Sequence, residues 1–379
     1  MGLLGLFTKP ADAAAVLIDV SSGSVAGAYV STVKGKPTLH YDARVPIRPH
    51  EGEELEAAML RSLAELCELL ITRGVPVLKR ATGHISIGEA FVSVSAPWQT
   101  SAIRVDRVEK KDAFTVTTSV MNEVIARSSK VPEGRIATGE TVISTVLNGY
   151  ETSTPFGRKV RRADFVVLSN SLPENVADGI TAAIRKAFHA RHIRFTAFAP
   201  CAFAVFRDVY PHERQFIVFD VAGAATEIAL VHQGLLASVV AVPLGVGNLA
   251  RPHTPRPSEA IATEKGVHLV KDAATSGTDM SRSEWMADIV TALKQLSAEY
   301  ALPRTLFLVA DDDAREYLRR ALDDAQLRQL WLSDEPLTIA PITTSQFSPY
   351  VGIGPEAEGD VALMMLALFR AKPLDGIAP

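Results

Sequence analysis

The chain has 379 residues, 47% of them apolar, which is enough for two sizeable cores. Its 39 Lys and Arg against 43 Asp and Glu leave a formal charge of −4, which excludes the basic footprint of a nucleic-acid binder. No run approaches the roughly 20 apolar residues of a membrane span. Both cysteines, Cys67 in LEAAMLRSLAELCELLITRG and Cys201 in FAPCAFAVF, sit in apolar stretches. They read as small buried hydrophobes in a reducing, cytoplasmic setting.

The opening MGLLGLF is apolar, but Lys9 and Pro10 follow at once and no basic region precedes it. It reads as a peptide that packs on its own domain, or as a short docking segment for a membrane surface or partner. A first strand then runs through VLIDV, with Asp19 near its end and Ser21, Ser22, Gly23 and Ser24 in the turn. SVAGAYVS, a turn over Lys34–Pro37 and TLHYDARVPI complete a three-stranded meander. A helix is predicted over Glu53–Thr72 from the spacing of Leu55, Met59, Leu63, Leu66 and Leu70, with a stop at Gly74 and Pro76.

GHISIGEAFVSVSAPWQTSAIRVDRV alternates as strands do, and a helix is expected near Thr117–Ser128. Together they predict a small α+β insertion over residues 84–150. Next come the basic run Arg158, Lys159, Arg161 and Arg162, read as a solvated strand edge, and the strand ADFVVLSNS. A helix over Glu174–Ala190 and the apolar connection RFTAFAPCAFAVFRD follow. FIVFDVAGAATEIALV then repeats the opening pattern. Asp220 ends a strand, Ala222, Gly223, Ala224 and Ala225 form the turn, Thr226 opens the return strand, and LLASVVAVPL completes a second meander.

RPHTPRPSEAIATEKGVHLV begins irregularly because of its prolines, and DAATSGTDMSRS reads as a loop before a helix over Glu284–Tyr300. The last third predicts a strand in RTLFLVA, an acidic turn at Asp311, Asp312 and Asp313 that caps a helix over Ala314–Leu322, and a final helix over Gly359–Phe369.

Small-residue turns between strands expose consecutive N–H groups that can converge on phosphate, and Gly lets a ligand approach the backbone. Two such turns on opposed lobes could clamp a polyphosphate, with Asp19 and Asp220 holding Mg²⁺ through its waters. No HExxH, no Cys/His zinc spacing and no G-x-S-x-G elbow is present.

The paired motifs resemble those of the actin-like ATPase superfamily, D-x-G-S-x-S and D-x-G-G-x-T-x-[DE]. MGLLGLFTKP followed by VLIDVSSGSV is similar to the start of PilM proteins. LNGYETSTPFGRKVRRADFVVL, FDVAGAATEIAL and VPLGVGNLA are similar to the middle of FtsA proteins, and VSVSAPW falls where both carry a small SHS2-type domain.

The resemblance implies an α/β, two-lobed actin-like (ribonuclease H-like) fold with an inserted α+β subdomain. The first lobe would be 1–83, the insertion 84–150, a return to the first lobe 151–210, the second lobe 211–358, and a C-terminal helix and tail 359–379. It further implies ATP and Mg²⁺ held by Asp19, Ser21, Ser22, Gly23, Ser24, Asp220, Gly223, Ala224, Thr226 and Gly245, with Asp19 and Asp220 at the metal. Ser21 stands where Gly is usual, alanines flank Gly223, and the third motif is Asp311-Asp312-Asp313 in place of a Gly-Gly turn.

No residue is evident to orient an attacking water, so the expectation is a nucleotide-binding or degenerate scaffold, at most a weak ATPase. Its expected place is the cytoplasmic face of the inner membrane. Two roles stay open. One is PilM-like, in type IV pilus assembly, with a cytoplasmic segment of an inner-membrane pilus protein as partner. The other is FtsA-like, in cell division, with FtsZ as partner. Self-association and a sugar or acetate kinase of the same fold are further alternatives.

Overall fold

The computed structural model describes residues 14–83, 87–127, 131–152, 154–249, 262–263, 266–267, 276–331 and 337–371. The MGLLGLF segment, most of the proline-rich stretch after 250 and the tail after 371 lie outside the described residues.

Asp19 and Asp220 occupy equivalent places in two equivalent hairpins. Strands β1 (Ala14–Val20) and β2 (Ser24–Val33) pair antiparallel out to Val20 opposite Val25. Strands β10 (Phe216–Val221) and β11 (Thr226–His232) pair out to Val221 opposite Thr226. Each aspartate lies one residue before that last pair, and each turn closes with the same hydrogen bond. Ser21 N donates to Ser24 O at 3.1 Å, and Ala222 N donates to Ala225 O at 3.0 Å.

Around these hairpins two sheets repeat one topology. In the first lobe, β3 (Lys36–Pro46), β2 and β1 are followed outward by the parallel strands β4 (Ile87–Val94) and β9 (His192–Ala197). In the second, β12 (Leu235–Val242), β11 and β10 are followed by the parallel strands β15 (Thr305–Val309) and β16 (Thr338–Pro341). The first sheet gains a sixth strand, β17 (Gly352–Glu356), beside β3. Two-residue strands β13 (Ala262–Thr263) and β14 (Gly266–Val267) form a separate short pair.

Helix α1 (Leu55–Leu69) buries Ala58, Met59, Ser62, Leu63, Leu66 and Cys67 at helical spacing. It does not stop at Gly74 and Pro76. A five-residue π turn, Leu70–Gly74, leads without a break into α2 (Val75–Thr82), with Pro76 in its first turn. Gly83, at φ +77°, ends α2.

The insertion differs from the expected 84–150. Strand β4 belongs to the first sheet. A four-stranded antiparallel sheet, ordered β5 (Thr100–Thr115), β8 (Lys159–Pro173), β6 (Arg135–Leu147), β7 (Tyr150–Thr152), runs from Thr100 to Pro173. It packs on α3 (Thr118–Ala126) through Val108, Met121, Val124, Phe165 and Val167. The basic run therefore enters an interior strand, not an edge. Asp164 accepts from Arg107 at 2.7 Å and Arg162 at 2.8 Å. The chain rejoins the first lobe at α4 (Glu174–Phe188), which shares a core with α1.

The expected apolar connection is helix α5 (Phe198–Val209), whose residues Phe198 to Phe206 are all buried. After β12 come α6 (Val246–Leu249) and α7 (Ser276–Ser297), the latter taking in residues expected as loop. Helices α8 (Asp312–Leu322), α9 (Ala325–Arg328), α10 (Thr344–Phe347) and α11 (Val361–Ala371) are the last among the described residues. Neither β17 nor α11 belongs to the second lobe or to a separate tail.

Helices α5 and α11 pack between the sheets, and one apolar core takes in Leu17 of β1, Val218 of β10, Phe206 of α5 and Met364 of α11. Both helices are apolar nearly all round because both sides meet protein. The two lobes thus share a core beneath the hairpin turns.

Candidate functional site

Strand β1 carries Asp19 into the interlobe cleft, where its carboxylate accepts from Ser93 Oγ of β4 at 2.6 Å and faces Arg44 Nη2 at 3.7 Å. Burial pushes its pKa up to about 6 against the opposing pull of Arg44 and Ser93. Asp220 meets it from the second lobe. Burial, then the charges of Glu227 and Asp19, hold Asp220 well above the ordinary carboxylate range, opposed by a hydrogen bond from Ser95. The two aspartates are brought together, as the repeats predict. Among the described residues, however, no three His, Cys, Asp or Glu side chains are arranged to hold a metal.

The two turns touch each other. A Cβ on Gly23 would lie 3.0 Å from the backbone of Gly223, and one on Gly223 would overlap Gly23. Ala224 N donates to Ser22 Oγ at 2.9 Å across the lobes. Ile47 N donates to Gly23 O, and Ser24 Oγ accepts from Arg44 Nη1 at 2.6 Å. Gly245 is buried against the second turn, where Val246 N and Gly247 N donate to Ala222 O and Gly223 O. Of the expected phosphate ligands, Ser22 and Ala224 thus bond each other across the turns, Ser24 accepts from Arg44, and Gly23 and Gly223 are pressed together.

Thr226 is likewise occupied. Fully buried, it donates to Leu244 O at 2.8 Å and accepts from Trp285 Nε1 of α7 at 2.9 Å. Thr226→Val strands the indole N–H and the Leu244 carbonyl, and is expected to cost about 1–3 kcal/mol in urea unfolding. A variant as stable as the parent would refute the structural role.

Arg44, on β3, fills the centre of the cleft. Its Nε donates to Asp360 Oδ2 at 2.8 Å, and Nη1 lies 3.5 Å from Asp311 Oδ1. Only 14% of the side chain is exposed. Asp360 also caps α11, accepting from Leu363 N at 3.0 Å. Burial alone would raise its pKa, but Arg44 and those backbone N–H groups hold it below the usual range. Asp311 does not cap α8 with its side chain as expected. It turns toward Arg44, burial raises its pKa, and Asp312 pairs with Arg315 instead.

Sequence reading missed Arg44, Asp360, Glu227 and Ser93. Glu227 alone had a local signal, standing opposite Asp220 in the hairpin.

The cleft opens into a cavity of about 950 Å³. Asp19, Ser21 and Asp220 line it, together with Arg44, Asp311 and Asp360, while Ser22, Gly23, Ser24, Gly223, Ala224, Thr226 and Gly245 do not. Its inner end thus presents carboxylates and a guanidinium already claimed by three of them. A polyphosphate entering there meets the carboxyl groups of Asp19, Asp220, Asp311 and Asp360. Mg-ATP does not fit these residues as they stand.

Glu227 is buried, with Oε2 lacking a hydrogen-bond partner, and burial pushes its pKa up to about 7 from 4.5. A raised carboxylate value means that the folded state holds the proton more tightly. Its stabilisation is present at low pH and is lost as pH rises through about 7. Between about pH 8 and about pH 5, the parent should gain on the order of 2–3 kcal/mol relative to Glu227→Gln. Urea titrations at the two pH values check this, and parallel profiles would refute it.

No protein-family model and no curated protein matches the sequence. Among solved structures, the chain is similar to a chain of a PilM-PilN type IV pilus biogenesis complex, with TM-score 0.57 and 16% identity over 96% of this chain and 99% of that one. A Bacteroides thetaiotaomicron protein with an actin-like ATPase fold and unknown function gives TM-score 0.46 and 9% identity, over 94% and 96%. The ethanolamine utilization protein EutJ from Carboxydothermus hydrogenoformans gives 0.37 and 13%, over 94% and 89%. With its duplicated sheets, paired aspartate hairpins and facing lobes, the chain has the two-lobed actin-like ATPase fold.

Proposed function

We propose that this chain is a scaffold at the cytoplasmic face of the inner membrane with a PilM-like role in type IV pilus assembly, docking a cytoplasmic segment of a membrane pilus protein. The observation that carries the scaffold reading is the cleft itself: its turns are in contact and its carboxylates are already gathered on Arg44. A kinase or a cycling ATPase must admit its substrate between those turns and position a base there.

The pilus reading is supported by the shared fold of the PilM-PilN complex across nearly the whole of both chains. No described helix is long and apolar enough to cross a membrane. The test is capture of the full chain on immobilised cytoplasmic segments of inner-membrane pilus proteins, with FtsZ in parallel. Saturable binding to a pilus segment is expected. Binding to FtsZ alone would transfer the chain to cell division, and phosphorylation of a small acceptor would overturn the scaffold reading.

A further inference from the structure

Arg44 touches three carboxylates from three separate parts of the fold: Asp19 at the end of β1, Asp360 at the start of α11, and Asp311 of the second lobe. Its Nη1 also donates to Ser24 Oγ in the first turn. A guanidinium is permanently charged, and its donors radiate in one plane, so a single side chain can bind several acceptors at once. Asp19, Asp311 and Asp360 converge on Arg44 beside Asp220, whose burial favours its neutral form, and the ionised carboxylates would repel one another and drive the lobes apart without a cation among them.

We propose that Arg44 is that cation: a built-in latch that gathers the cleft carboxylates and keeps the two lobes closed with no nucleotide or metal between the turns. The hydrogen bond from Ala224 N to Ser22 Oγ and the contact of Gly23 with Gly223 are then consequences of closure by the chain's own charge. The latch also explains why a groove of ample size is unsuited to polyphosphate. Beside the turns, Arg44 is already engaged by Asp19, Asp311 and Asp360, and Asp220 adds a further carboxyl group. The inference rests on the site geometry and not on the identity of the docking partner, so loss of pilus-segment binding would not touch it.

The test places nitroxide labels on the exposed Glu51→Cys and Gln329→Cys, one on each lobe, the native Cys67 and Cys201 being buried. In the full chain, the interlobe distance measured by pulsed electron resonance should be single and unchanged by millimolar Mg-ATP. Mg-ATP should give no shift in Tm. Arg44→Ala should lengthen and broaden the distance, and Arg44→Lys, which keeps the charge but loses the fork, should fall between.

Asp311→Ala removes only the half-buried second-lobe arm. It should lengthen the distance even if Arg44→Ala fails to fold. An unchanged distance in Asp311→Ala, or in a folded Arg44→Ala, overturns the latch. A rise in parental Tm with Mg-ATP that Arg44→Ala abolishes overturns it too, because Arg44 would then be a phosphate ligand.

Discussion

Arg44→Met is expected to destabilise the fold by about 3–5 kcal/mol at neutral pH, the usual cost of removing one partner from a buried charge cluster. Methionine keeps most of the apolar stem, so the loss reports charge and hydrogen bonding more than packing. The arms are unequal. Asp311, the arm that crosses the lobes, is 35% exposed on its side chain and accounts for a smaller share of the folding loss than Asp19 at 4% and Asp360 at 16%, which lose their cation in a poorly solvated place.

Two controls separate these terms. Adding Asp360→Asn should recover part of the loss, because the amide oxygen can still accept from Leu363 N at the start of α11 while one stranded charge is gone. Lowering the pH should also help. Asp19 titrates near 6 with Arg44 in place and higher without it, so the stranded group takes up its proton before the parental one does, and the penalty shrinks as the pH falls toward about 6. Urea unfolding of both single variants and the double variant at two pH values measures all of this. A loss below about 1 kcal/mol that does not change with pH would show the cluster to be energetically idle.

Gly223→Ala is the second large effect. The new methyl would fall on the backbone of Gly23, and no flexible side chain is available to give way. The turns must therefore part, breaking the bond from Ala224 N to Ser22 Oγ, with a cost at the upper end of the about 1–3 kcal/mol typical of overpacking. Gly245→Ala is the matched comparison. Its methyl meets backbone of the second turn, Ala222 and Ala225, so the strain stays inside one lobe. Both variants should lose stability to a similar degree, but only Gly223→Ala should increase the radius of gyration in solution scattering. Equal radii would mean that the turns do not set the lobe spacing.

The features legible in the sequence were those that local chemistry decides. Asp19 and Asp220 stood out because each hairpin is contiguous and its register follows from a short turn, and the structure gives both hairpins the same closing bond. Helix α1 was visible through its spacing, but not its passage through a π turn into α2, because Gly and Pro read locally as a stop. Helix α5 lacked a polar face to reveal its period and read as an apolar connection, whereas α11 falls on the expected final helix; only the stacking of two sheets explains why both are apolar nearly all round.

The site was half legible. The carboxylates of the repeats could be named, but Arg44 lies on a strand among other alternating residues, and its partners are 25, 267 and 316 positions away (44 − 19, 311 − 44, 360 − 44). The same applies to Asp311. Its sequence neighbours suggest a helix cap, and only the approach of the other lobe gives its side chain a better partner.

The return of β17 and α11 to the first lobe bears on how the protein is made. Strand β17 covers the open edge of β3, and α11 supplies Leu363, Met364, Met365 and Leu366 to the core under β1. During synthesis, the N-terminal sheet must therefore wait with one edge unpaired and one apolar face bare until the last helix has left the ribosome. A chain cut short before residue 352 would carry both defects permanently, which makes the closing residues as necessary to the first lobe as its own hairpin.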